Sequence, residues 1–95
     1  MIIKVVILPK AQIHIDKLGI SIDAVVSIVT DIVRKGDYTY SKTWRSKYGK
    51  IAVYTGKRQH RGKLDTVWFF MRKKEKLLRI YVMGLHETTS KRARK

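Results

Sequence analysis

Apolar positions along this chain change period near residue 36, and the change separates two kinds of structure. Residues 2–8 form a β-branched run with one charge, Lys4, ended by Pro9, which has no N–H for a ladder and restricts the residue before it. The run predicts a strand. Residues 10–18 then carry apolar side chains at Ala11, Ile15 and Leu18, with Gly19 where a helix stop belongs. His14 falls on the polar side of that short helix with Lys10 and Lys17, as a solvated or edge-packed histidine. A second helix begins at Ser21, a suitable N-cap, with Asp23 in its first turn. Ile22, Val25, Ile28, Val29, Ile32 and Val33 form its apolar stripe, and Gly36 closes it.

From Asp37 the pattern turns to short β-leaning runs. Residues 37–44 alternate weakly, as a strand or an irregular connection. Residues 51–55 form a clearer strand, with Ile51 and Val53 on one face and Ala52 and Tyr54 on the other. In residues 65–72, Val67, Phe69 and Met71 oppose Trp68, Phe70 and Arg72. A polar turn at 73–76 leads to a strand over 77–83, where Leu78, Ile80 and Val82 oppose Leu77, Arg79, Tyr81 and Met83. This order predicts an α+β two-layer sandwich: one N-terminal strand, two helices, then a three- to four-stranded antiparallel sheet with the helices on one face. Residues 1–87 are expected to form a single domain and 88–95 a flexible basic tail. Trp44 and Trp68 are expected in the core or at its edge.

Composition narrows the function classes. The 95 residues are 44% hydrophobic, enough for one small core. Cysteine is absent, which excludes a disulfide framework and a thiolate nucleophile, and three scattered histidines with few carboxylates argue against a metal or cofactor. No apolar run approaches the roughly 20 residues of a membrane span, so a membrane role is not expected and the cytoplasm is the default compartment. Net charge is +15. Residues 1–33 are neutral, with three lysines against three aspartates; the remaining 62 residues carry 19 Lys/Arg against four carboxylates and hold the whole excess. Such asymmetry is an electrostatic footprint for nucleic acid.

A glycine-bracketed basic stretch, residues 56–63 (Gly-Lys-Arg-Gln-His-Arg-Gly-Lys), puts four cations and a histidine between two apolar runs and has no apolar side chain to bury. It is expected to be a glycine-bracketed loop whose Lys57, Arg58, Arg61 and Lys63 contact a polyanion. Arg45, Lys47 and Lys50 form a second basic turn, and the two turns make one groove if they share an end of the sheet. The face away from the helices is expected to present Tyr54, Arg79 and Tyr81. Cations interleaved with aromatics suit RNA over DNA, since bases stack on rings while Lys and Arg track phosphates.

Two stretches carry a family resemblance: residues 11–25, a helix followed by Gly-Ile-Ser and an acidic helix start, and residues 78–86, a final strand ending in Gly84 and His86. With the element order, the small size and the basicity, these resemble the RelE/ParE-like toxin superfamily within the barnase, colicin and RelE group of small ribonucleases. The resemblance implies metal-independent RNA cleavage by the ribose 2′-hydroxyl and an acidic antitoxin-like partner. By position, Lys57, Arg58, Arg61 and Arg79 would stabilise the phosphorane, His60 or His86 would exchange protons, and Tyr54 or Tyr81 would stack a base. The sequence departs from the family after His86, where Glu87-Thr88-Thr89 follows in place of an aromatic residue. Two alternatives stay open. One is a non-catalytic RNA- or DNA-binding accessory or regulatory protein of a mobile element or virus. The other is an interaction domain for an acidic protein. An exposed face of Trp68 and Phe70 would further imply a homodimer or a covering partner.

Overall fold

The change of period at residue 36 is a change of layer. The computed structural model describes residues 2–47, 49–60 and 63–89. Its elements run β1 (Ile2–Ile7), α1 (Pro9–Leu18), α2 (Ile22–Lys35), β2 (Tyr38–Ser46), β3 (Gly49–His60), β4 (Lys63–Lys74) and β5 (Leu77–Thr89). Both helices begin and end where local chemistry dictates. Pro9 opens α1; Ser21 Oγ accepts from the Ala24 N–H at 3.1 Å to cap α2; Gly19 and Gly36 stop them at φ of 68° and 69°, a left-handed geometry costly for other residues.

The α+β class is as expected, but the sheet is larger and mixed. Its five strands lie in the order β1-β5-β4-β3-β2, with β1 parallel to β5 and every other pair antiparallel. The N-terminal strand therefore belongs to the same sheet as the last one. A parallel pair needs a long crossover, and here everything between β1 and β5 supplies it. The core lies between sheet and helices: Ala11 and Ile15 of α1 and Val25, Val29 and Ile32 of α2 pack on Val67, Phe69, Ile80, Val82 and Leu85.

The expected basic loop is corrected by this register. β3 continues through Gly56 to His60, and β4 resumes at Lys63. Gly56 is not a turn residue but a buried strand position beneath α2: a Cβ there would lie 2.5 Å from Ile32 Cγ2. Of residues 37–44, all but Asp37 resolve as strand, and β5 extends past residue 87, two residues into the stretch assigned to the tail; 90–95 lie outside the described residues.

β1 ends opposite Val82, yet β5 runs on to Thr89. Beyond that point α1 takes the place of β1 along the edge of β5. Leu8 N–H donates to the Val82 carbonyl at 3.1 Å, and the next edge donor, Leu85 N–H, is accepted by His14 Nδ1 at 3.1 Å. A bulge at Met83 shifts the β4–β5 register between Trp68 and Phe69 at the same place.

Candidate nucleic-acid interface

Strand alternation and register place Lys4, Arg79 and Arg72 in one row on the face opposite the helices, because Lys4 pairs with Arg79 and Arg79 with Arg72. Like charges directly opposite one another destabilise a sheet, and none of these three is ion-paired among the described residues. Lys42, Lys57 and Lys74 point to the same face. The carboxylates lie elsewhere. Asp16, Asp23 and Asp31 are on helices, Asp37 precedes β2, Asp65 and Glu87 pair on the helix side, and Glu75 sits in the β4–β5 turn.

Beside the cation row runs an aromatic one. Phe70 and Tyr81, partners in register, stack with centroids 4.7 Å apart and planes within 8°. Trp44 lies 6.3 Å from Phe70, and the Arg72 guanidinium sits over the Phe70 ring at 5.9 Å. Phe70 is thereby only 7% exposed, covered by its own chain, while Trp44 remains 41% exposed. Neither Trp44 nor Trp68 is in the core: both project from the open face.

On the helix side, Arg58 is held differently. Arg58 Nε donates to Asp31 at 3.0 Å and Arg58 Nη2 to Asp37 at 2.8 Å. The hydrogen bond from Arg58, opposed by partial desolvation and aided by Lys35, holds the Asp31 carboxyl below its ordinary value, and the two aspartates raise the Arg58 pKa in turn. Arg58 is thus a structural tie between β3, α2 and the start of β2 rather than a free phosphate ligand. Tyr54 is corrected likewise. It packs on the core beside Tyr38 and Phe69, at 5.3 and 6.3 Å, on the helix side.

The two basic turns do not form one groove, because they lie at opposite ends of β3. Arg45, Lys47 and Lys50 share their end of the sheet with the β4–β5 turn and the start of β1. Lys57 is exposed on the open face nearer the other end. His60, Arg61 and Lys63 lie outside the residues whose side chains are described. Arg79 and His86 are both on β5 but seven residues apart, about 23 Å of extended chain, so a single phosphate cannot touch both.

Residue-by-residue reading missed a cleft at the α1 edge of the open face. About 370 Å3 in volume, it is lined by Lys10, His14, Lys42, Val53, Trp68, Met83 and Gly84. His14 lies so close to the β5 backbone that a Cβ on Gly84 would stand 3.3 Å from its ring and 3.5 Å from Trp68. Because His14 Nδ1 accepts the Leu85 N–H, the neutral ring carries its proton on Nε2. His14 is therefore a hydrogen-bond donor with no free lone pair for base catalysis. His86 flanks Trp68 from the other side, with ring centroids 6.4 Å apart. A mid-strand glycine marks a close backbone approach, and Gly84 was the sequence signal for this contact.

Among the described residues no cluster of three or more His, Asp or Glu could hold a metal ion, and no helix is long and apolar enough to cross a membrane. In comparisons with known proteins, no family model, no curated protein and no solved structure matches the chain, so its function is read from this geometry.

Proposed function

We propose that this protein binds nucleic acid, RNA before DNA, on the open face of its sheet. The observation that carries this is the row Lys4–Arg79–Arg72, three cations in register without a carboxylate, beside the rings of Tyr81, Phe70 and Trp44. An anionic backbone along the row relieves its self-repulsion, and the rings offer stacking surface for bases. RNA is favoured because single-stranded, unstacked bases are the usual targets of aromatic sheet faces. Arg79 and His86, the pairing implied by the toxin resemblance, stand too far apart to act on one phosphate, whereas Lys57 and His86 both flank Thr66 on the open face; the activity proposed is limited to binding.

The test is the salt dependence of binding to a labelled single-stranded RNA about eight nucleotides long, within the usual site size. The Lys4→Ala/Arg72→Ala/Arg79→Ala variant is expected to lower the slope of log K against log salt by about 2, roughly 0.7 for each lost phosphate contact. A wild-type slope near zero, or an unchanged slope in the variant, overturns the proposal.

An acidic protein partner is a second reading, favoured by a groove of about 500 Å3 on the helix side, where Ile3, Met71 and Leu78 are flanked by Arg34 and Lys73. It occupies the opposite face and predicts competition-free binding of both ligands.

A further inference from the structure

We infer that the cleft between α1 and Trp68 is a pocket for one unpaired nucleobase of the strand whose phosphates follow the cation row. This rests on the nucleic-acid reading of the open face and adds to it a defined base site.

Four features converge there. Trp68 projects from β4 onto the open face and lines the cleft with the flat backbone of Gly84, leaving a ring surface next to a glycine rather than a side chain. His14 is fixed by its bond to Leu85 N–H, so it presents Nε2–H, a donor suited to a base carbonyl or ring nitrogen. Lys10 and Lys42 line the cleft from α1 and β2, on either side of the central strands, and among the described residues no carboxylate lines it. The lining thus joins a stacking ring, a fixed donor and two phosphate-seeking cations. Trp68 and Arg72 are four residues apart on the same face of β4, about 13 Å, so one short strand can reach both.

The cleft also discriminates between strand types. A base enters it only when unstacked, and duplex stacking and pairing oppose that. Single strands are therefore the expected ligand. Trp68 itself, rather than Trp44, is the ring that reports the event, because Trp44 lies on β2 beside Phe70 and does not line the cleft.

The chain has two tryptophans, so the Trp44→Phe variant leaves Trp68 as the single tryptophan emitter. Titration with the single-stranded RNA is expected to quench Trp68 emission in parallel with the anisotropy of the labelled strand. The same RNA annealed to its complement is expected to bind more weakly and leave the emission unchanged. Trp68→Leu is expected to weaken single-strand binding roughly 5- to 150-fold, the range for one lost base stack, and Lys42→Ala to weaken it less. Should Trp68→Leu fail to fold by circular dichroism, the emission titration on the Trp44→Phe protein decides alone. Strand binding with unquenched Trp68 overturns the pocket while leaving the open-face proposal intact. Quenching by duplex equal to that by single strand also overturns it. No binding of any strand removes both proposals together.

Discussion

Under the helices, Arg58 is held 3.0 Å from Asp31 and 2.8 Å from Asp37, whereas on the opposite face Arg79 stands between Lys4 and Arg72 in a row without carboxylates. Both arginines come from the strongly basic part of the chain. What separates them is the facing element: α2 and the chain after it bring two aspartates over β3, whereas among the described residues the other side of the sheet meets a helix only at its α1 edge. A cation in a basic run is therefore not by itself a ligand for phosphate. The feature that points to a ligand is a set of cations that the fold aligns and leaves without opposite charge, since only a bound anion removes their repulsion.

The largest effect is expected where the helix side is packed most tightly. Gly56→Ala puts a Cβ 2.5 Å from Ile32 Cγ2 and 3.0 Å from its Cδ1, an overpacking that costs about 1–3 kcal/mol. The unfolding free energy from urea titration should fall by that amount, lowering the midpoint, while RNA affinity, measured where both proteins are folded, stays within about twofold, as a surface far from the change allows. An unchanged midpoint would show that α2 does not press on β3 at this point, and the contrast between a packed face and an open one would lose its basis.

Arg79→Glu sharpens the comparison from the other side, because stability and affinity should move in opposite directions. A carboxylate between Lys4 and Arg72 replaces two repulsions with two attractions, a gain of about 0.2–1 kcal/mol for each cross-strand pair. RNA affinity should drop by about tenfold or more, since the proposed phosphate contact becomes a repulsion. Loss of stability together with loss of affinity would mean that Arg79 holds the sheet rather than serving a ligand.

How much of this was legible in sequence depends on whether the cause was local. Both helices were, because Ser21, Gly19, Gly36 and the spacing of Val25, Val29 and Ile32 act within a few residues of one another. The alternation of β4 and β5 was too, so the open-face positions of Arg79 and Tyr81 followed from period two alone. Pairing of β1 with β5 was not, because nothing in residues 2–7 specifies a partner so far along the chain. Gly56 read as a loop bracket since the residue that requires glycine there, Ile32, is on another element. Arg58 read as a free cation for the same reason: its partners lie 27 and 21 residues away. His14 read as a polar-side histidine because the donor it accepts from, Leu85 N–H, is 71 residues distant.

The smallest expected effect concerns that same Arg58 tie, and its sign can be fixed in advance. The Asp31 carboxyl is held below its ordinary value of 3.8 in the folded chain, chiefly by the hydrogen bond from Arg58. The unfolded state therefore binds the proton more readily than the folded one. The contribution of the pair is fully present above pH 3.8 and is lost as the pH falls through the depressed folded value. Asp31 and Arg58 are both open enough to solvent for screening to keep the contribution modest. Melting temperatures of the wild type and of Arg58→Gln, followed from neutral pH into acid, should differ most above that range and converge below it. Added salt should narrow the difference at neutral pH. A difference that stays constant through the acid range would mean that Arg58 stabilises the fold through the packing of its alkyl stem rather than through its charge, and the electrostatic contrast between the two faces would then rest on Lys4, Arg72 and Arg79 alone.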